Sequence, residues 1–202
     1  MSTPLVEAVD AELYRRQVEE DQETLPGSLY EFTKSAFHVI KKGRPFKENW
    51  HMRVVAAHLE CVTEGRIKRL QIWQPPGTMK SMNVHVFWPV WEWIHQPHLR
   101  YWCASHSLSL VWQHCDNSGT LLKSEWFQDR WPLEMKTASK TGYENTIGGT
   151  RITTSPSSEG VGKHGDRIII DDLLDAGDAE STTRAVLDFT NEWYDAVITG
   201  RK

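Results

Sequence analysis

Apolar residues recur at helical spacing in the first third of the chain. In residues 28–42 they fall at every third or fourth position, at Leu29, Phe32, Ala36, Phe37 and Ile40. A second stretch covers residues 48–64, with its apolar face at Trp50, Val54, Ala57 and Cys61. Gly43 and Gly65 mark the ends of the two segments. The pattern therefore predicts two amphipathic helices, preceded by a charged, helix-permissive segment over residues 1–26.

Short apolar runs in the rest of the chain predict buried strands. The clearest is Arg-Ile-Ile-Ile-Asp at 167–171, because three β-branched residues follow one another. Shorter runs predict strands over residues 69–73, 99–104 and 149–154. Helices are expected between and after them, at 81–94, 107–123 and 178–198. This alternation predicts an α/β fold with a mostly parallel central sheet flanked by helices.

Composition narrows the class of protein. A chain of 202 residues with 39% hydrophobic and 25% charged residues is that of a folded domain of ordinary size. Ten tryptophans predict a well-packed core or an aromatic partner surface. The net charge of −4 argues against a surface that binds nucleic acid throughout, although a local basic patch remains possible.

Cysteine usage and hydropathy indicate a reducing, non-membrane location. The three cysteines, Cys61, Cys103 and Cys115, form neither a disulfide framework nor a CxxC pair. The spacing of Cys103, His106, His114 and Cys115 also disfavours a zinc site. No segment has the length and apolarity of a membrane helix, and the first residues are too polar for a signal peptide.

A Pro/Gly turn follows the predicted strand at 69–73 and leads into a lysine and a serine that open a helix. Backbone N–H groups in such a turn face an anion. Lys80 would supply positive charge to the β- and γ-phosphates, and the Ser81 hydroxyl would bind Mg²⁺. The predicted ATP-binding residues of the loop are Pro75, Pro76, Gly77, Thr78, Met79, Lys80 and Ser81.

The loop departs from the common phosphate-loop pattern GxxxxGK[ST]. Gln74 and Met79 stand at the two positions where that pattern has glycine. The alternative interpretation is a Pro-Gly turn that caps a helix and carries an incidental lysine.

Two aspartates end the strand at 167–171. An ATPase needs a carboxylate at a strand end to hold the metal's water shell, and a second one to activate the attacking water. Asp171 fits the first role and Asp172 the second. The alternative is a pair of solvated aspartates that cap the next segment. Together with the loop, the two aspartates predict an ATP hydrolase that uses Mg²⁺.

The chain from about residue 45 to 198 resembles the N-terminal ATPase domain of tailed-phage terminase large subunits, the motors that package DNA. The resemblance rests on Pro-Pro-x-x-x-Lys-Ser at 75–81 and on an ordered set of further segments. These are Asn49–Arg53, Cys103–Ser107, Ser124–Gln128, Glu144–Arg151 and Gly165–Asp172.

The resemblance implies a fold and roles for individual residues. The fold would be the additional-strand (ASCE) type of P-loop NTPase. Lys80 and Asp172 would be catalytic, and Ser81 and Asp171 would hold the metal. Aspartate at 172 departs from the usual glutamate, which puts the turnover rate in doubt. Trp50 and His51 lie where the family contacts adenine, although Trp50 could instead be a core anchor. A basic residue from a neighbouring subunit would stabilise charge on the transferring phosphate. The candidates, which could equally be surface charges, are Arg151, Lys163 and Arg167.

The resemblance also implies partners and an organisation of the chain. The expected partners are double-stranded DNA, further copies in a ring on the portal protein, and the small terminase subunit, in the cytoplasm of the infected bacterial host. We expect a helical arm over 1–44, an ATPase domain over 45–202, and no nuclease domain. Two basic groups could contact DNA or simply be solvated: Lys41, Lys42, Arg44 and Lys47, and Arg66, Lys68 and Arg69.

The sequence also fits three other functions. They are a helicase-like ATPase, a small-molecule kinase, and a nucleotide-binding module without turnover.

Overall fold

The computed structural model describes residues 4–105, 107–154 and 165–171. The chain divides into two compact units. The first comprises Met1–His95 and Thr120–Leu133, and the second comprises Gln96–Gly119 and Glu134–Lys202.

Helices build the first unit. They are α1 (Pro4–Thr24), a 3₁₀ turn (Leu25–Gly27), α2 (Leu29–Ile40), α3 (Trp50–Thr63), α4 (Lys80–Met82), a π-helical segment (Asn83–Phe87), α5 (Trp88–His95) and α7 (Glu125–Gln128). The two helices predicted from periodicity are present as α2 and α3, and α2 buries most of its predicted apolar face. The apolar face predicted for α3 is wrong: Trp50, Val54 and Ala57 are exposed and Cys61 is half-buried, because the helix packs through the neighbouring face formed by Met52, Val55, Ala56 and Leu59. Ser28 is the N-cap of α2, and its side chain accepts a hydrogen bond from the Glu31 N–H, the bond that serine makes at this position.

The predicted helix over 81–94 is present, but it contains a widened turn. Asn83–Phe87 is π-helical and joins α4 to α5 without a break. Pro89 explains the widening, because proline has no N–H to donate to the carbonyl of His85 and its ring would collide with that carbonyl in a regular α-helix. The N–H of Trp88 bonds instead to the Asn83 carbonyl, five residues back.

The core of the first unit lies between α2, α3 and the helix that ends at His95. Phe32, Ala36, Val86, Phe87 and Val90 have no exposed surface. Two tryptophans of α5 are fixed by hydrogen bonds as well as by packing. Trp91 Nε1 donates to the Leu25 carbonyl at 3.1 Å, and Trp88 Nε1 donates to Thr63 Oγ1 at 2.9 Å. The indole rings thus bury large apolar faces without leaving an N–H unsatisfied.

A five-stranded sheet forms the centre of the second unit. Its strands are β1 (Arg100–Ala104), β2 (Met135–Ala138), β3 (Gly142–Asn145), β4 (Thr150–Thr154) and β5 (Arg167–Ile170), in the order β2-β3-β4-β1-β5. Trp102 and Ala104 of β1 are buried against Ile152 and Ile168 of its two neighbours. Helix α6 (Leu108–Lys123) follows β1 in the chain.

The expected mostly parallel central sheet is wrong, and with it the predicted additional-strand P-loop architecture. The sheet is mixed: β1 pairs in parallel with β4 and β5, whereas β2–β3 and β3–β4 are antiparallel. The physical reason is the length of the connections. Only three residues separate β2 from β3 and four separate β3 from β4, whereas a parallel crossover needs a dozen or more. The α/β class itself agrees with the structure.

The strand predicted over 69–73 is also absent. These residues are irregular and pair with none of the described strands. Trp73 contributed to the prediction of a buried strand because it is apolar. Its side chain is 84% exposed, so this apolarity does not reflect burial. The helix predicted over 178–198 lies outside the described residues.

Candidate phosphate-binding loop

The segment from Gln74 to Met79 is a tight turn that leads into the helical run beginning at Lys80. Pro76 and Gly77 occupy its central positions, and Gly77 has φ 79°. Proline followed by a glycine with positive φ is the pattern of a type II turn. The Thr78 hydroxyl donates to the Pro75 carbonyl at 2.7 Å and thereby closes the turn through its side chain.

Met79 has an unusual backbone conformation. Its φ of 63° and ψ of 13° are left-handed, and among the described residues it is the one non-glycine with positive φ. Such a conformation costs an L-residue roughly 1–2 kcal/mol. Residues held in it cluster at functional sites. Met79 stands where the phosphate-loop pattern has glycine, so the backbone takes the shape that glycine usually supplies.

Lys80 and Ser81 are the first two residues of the helix, as the sequence predicted. Both are half-buried. The Met79 carbonyl accepts the first helical hydrogen bond, from the Asn83 N–H at 2.9 Å. Met79 is therefore the N-cap, and Lys80 and Ser81 occupy the first turn of the helix. A lysine and a serine at this point can serve an anion that approaches the helix start.

The beginning of α3 reaches the loop through His51. Its Nε2 lies 3.2 Å from the Thr78 carbonyl oxygen. Trp50 packs edge-on against the His51 ring with 6.1 Å between centroids, yet it is 75% exposed. The interpretation of Trp50 as a core anchor is therefore wrong. Trp73, directly before Gln74, was not predicted as a site residue and is also exposed.

Asp171 follows β5 at the carboxyl end of the three parallel strands of the second unit. Its N–H donates to the Ala104 carbonyl at 3.0 Å, which continues the β1–β5 ladder by one residue. The Asp171 residue is half-buried. In parallel sheets this edge is where ligands bind. Asp172 and Lys163 lie outside the described residues, and within the described ranges no group of three or more His, Cys, Asp or Glu side chains is placed to hold a metal ion.

The two candidates for a trans-acting role that the structure describes, Arg151 and Arg167, differ in their surroundings. Arg151 on β4 is 1% exposed, so its guanidinium does not reach the surface where a neighbouring molecule would bind. Burial works to lower its pKa, but the nearby Cys103, Tyr143 and Cys115 outweigh that effect and raise it, so the guanidinium stays charged. Arg167 on β5 is half-buried and keeps part of its surface accessible. Of these two candidates, Arg167 is the one whose exposure suits a trans-acting role.

No protein-family model matches the chain, and comparison with curated proteins and with solved structures likewise returns no match. Of the helices in the described part of the chain, none combines the length and the apolarity needed to cross a membrane.

Proposed function

We propose that the chain binds ATP with Mg²⁺ at residues 75–81 and hydrolyses it, as the ATPase part of a DNA-packaging motor. The observation that carries the proposal is the left-handed Met79 directly before Lys80. A left-handed residue at this point, followed by a lysine and a serine at a helix start, supports a loop that binds a triphosphate. The proposal rests on the loop and not on the sheet, whose mixed pairing is described above.

The loop also has the charge and accessibility that a nucleotide needs. Pro75, Pro76 and Gly77 are exposed, and Trp50 and Trp73 present aromatic faces to solvent. Exposed aromatic rings are suited to stacking on a nucleobase. The roles of Asp171 in holding Mg²⁺ and of Asp172 in activating water stay predictions from the sequence.

The packaging role rests on the resemblance of the sequence segments. Under this role, the proposed partners are double-stranded DNA, further copies of the chain in a ring on a portal protein, and the small terminase subunit. The basic residues proposed to contact DNA are exposed or half-buried. Phosphate contacts make nucleic-acid binding strongly dependent on salt. Any stimulation of hydrolysis by DNA should therefore weaken steeply as salt is raised.

The test is ATP hydrolysis with Mg²⁺, compared between the wild-type chain, Lys80→Ala and Lys123→Ala. Lys123 is an exposed lysine at the end of α6 and serves as the matched control. We expect Lys80→Ala to abolish nucleotide binding or turnover and Lys123→Ala to leave both unchanged. Turnover that rises more than linearly with protein concentration would support sites completed between subunits, and stimulation by double-stranded DNA would support the motor.

A second variant separates binding from chemistry. We expect Asp172→Asn to keep ATP binding and lose turnover, because an amide cannot accept the proton of the attacking water. Normal turnover in that variant removes Asp172 from the mechanism. Absence of both nucleotide binding by calorimetry and turnover in the wild-type chain contradicts the proposed function as a whole.

A further inference from the structure

One side-chain contact joins the helix that begins at Trp50 to the backbone of the loop. The His51 Nε2 atom lies 3.2 Å from the Thr78 carbonyl oxygen. Because a carbonyl oxygen only accepts hydrogen bonds, Nε2 carries the proton and donates it. The residues are 27 positions apart in the chain, so the bond is a tertiary restraint on the loop and not a local turn interaction.

This bond acts on the residue that follows Thr78. The Thr78 carbonyl and the Met79 N–H belong to one planar trans peptide and point in opposite directions. A donor that holds the carbonyl from the side of α3 therefore directs the Met79 N–H away from α3. The orientation of that peptide plane also sets, in part, the φ of Met79, which is 63°.

Met79 needs such a restraint more than glycine would. Glycine adopts positive φ about as readily as negative φ, whereas methionine does so at a cost. The Thr78 hydroxyl, bonded to the Pro75 carbonyl, fixes the other side of the turn. Three hydrogen bonds therefore converge on residue 78: its hydroxyl donates to the Pro75 carbonyl and, at 3.4 Å, to Gln74 Oε1, and its carbonyl accepts from His51.

We propose that His51 is a positioning residue for the loop: by donating to the Thr78 carbonyl it holds Met79 in the left-handed conformation that turns the backbone N–H groups toward a phosphate. The inference rests on the proposed function for its ligand, but its conformational part concerns the free protein. His51 acts through the backbone and does not need to touch the nucleotide.

The conformational part is tested without nucleotide. Backbone NMR shifts and the amide–Hα coupling report whether Met79 is left-handed in the wild-type chain, in His51→Ala and in His51→Gln. We expect His51→Ala to lose the left-handed signature and His51→Gln, which keeps an N–H donor, to retain most of it. A left-handed Met79 that persists unchanged in His51→Ala overturns the proposal, whatever the protein binds.

The functional part is tested by a double-mutant cycle with MgATP, measured by calorimetry. His51→Ala should weaken binding about fivefold, which corresponds to one net hydrogen bond. In the Met79→Gly background the same substitution should change affinity less than about twofold, because glycine holds the conformation unaided. Equal losses in both backgrounds contradict the positioning role.

His58→Ala is the matched control for the cycle. It removes a histidine of the same helix whose Nδ1 bonds to the Val54 carbonyl within α3. We expect it to leave MgATP affinity unchanged in both backgrounds. If the wild-type chain fails to bind MgATP, the proposed function is wrong, and the NMR comparison still decides whether His51 sets the conformation of Met79.

Discussion

Asp21 and Arg130 form a buried ion pair, with 2.8 Å between the aspartate Oδ2 and the arginine Nε. Their side chains are 9% and 3% exposed. Gln17 Nε2 donates to the second oxygen of Asp21, and Arg130 also donates to the Trp126 carbonyl and lies over the Trp126 ring. The pair fastens α1 to the segment that follows α7, so the end of α1 is an integral part of the first unit.

Removing one member of this pair should destabilise the first unit strongly. Asp21→Ala leaves the Arg130 guanidinium buried without its carboxylate, which we expect to cost about 3–5 kcal/mol of unfolding free energy. Urea unfolding followed by circular dichroism measures the loss. The control is Glu12→Ala, because Glu12 makes only exposed ion pairs with Arg15 and Arg16 and should cost less than about 1 kcal/mol. Similar losses of unfolding free energy in the two variants would contradict a stabilising role for the buried Asp21–Arg130 pair.

The second unit should lose stability at alkaline pH. Burial raises the pKa of the Cys115 thiol from 9.0 to about 11, against the lowering effect of the Arg151 charge. Burial likewise raises the pKa of Tyr143 from 10.0 to about 12. The unfolded chain releases these protons at lower pH than the folded chain does. The stability they contribute is therefore complete below pH 9 and declines between pH 9 and 12.

Urea unfolding at about pH 8 and about pH 10.5 checks this decline. Burial raises the pKa of the Cys103 thiol as well. Cys115→Ala removes one of these buried titrating groups and should flatten the decline. Cys61→Ala, at a partly exposed position, should not. An unfolding free energy that stays constant over this range in the wild-type chain would show that none of these buried groups changes its protonation between the folded and unfolded states.

The turn between β3 and β4 has no room for a side chain at Gly149. A Cβ atom built there would lie 2.0 Å from the Pro97 carbonyl oxygen and 2.6 Å from Asn145 Nδ2. Asn145 holds this turn together, since it donates to the Pro97 carbonyl and accepts from the N–H groups of Ile147 and Gly149. A methyl group at position 149 would push these partners apart.

Gly149→Ala should therefore cost about 1–3 kcal/mol of unfolding free energy, the range expected for overpacking. Thermal unfolding of the purified variant is the measurement. Gly27→Ala is the control, because no atom lies within 4 Å of a Cβ built at Gly27. An unchanged melting temperature in Gly149→Ala would mean that the turn relaxes freely.

The burial of Arg151 predicts a structural phenotype for its removal. Arg151→Ala leaves a cavity between β4 and the groups around Cys103 and Tyr143, so we expect a loss of several kcal/mol, on the order of 3. Arg167→Ala, at a half-buried position, should cost less stability.

A mixing experiment tests the trans-acting role of Arg167. If Arg167 acts in trans, mixing Arg167→Ala with Lys80→Ala should restore part of the ATPase activity, whereas mixing Arg151→Ala with Lys80→Ala should not.

Local sequence patterns were enough to predict several helices, strands and turns. The helical spacing of Leu29, Phe32 and Ala36 predicted α2, because one face of a helix must be apolar to pack. The run Ile168–Ile170 predicted β5, since consecutive β-branched residues favour a strand buried on both faces. The Pro-Gly turn before Lys80 was likewise visible, because proline and glycine restrict the backbone locally.

Other features depend on contacts between residues far apart in the chain, and only the tertiary structure decided them. Strand direction is one such feature. Strands β2, β3 and β4 pair in antiparallel fashion where a parallel sheet was expected. Direction is set by the short connections and by the pairing partners, and apolarity does not reveal either. Burial is another, since Trp50 lies in solvent while Arg151 is enclosed. The sequence by itself determined helices α2 and α3, strands β1, β4 and β5, and the Pro-Gly turn before Lys80. The tertiary structure decided how the strands pair, which side chains they enclose, and that Met79 adopts a glycine-like backbone beside His51.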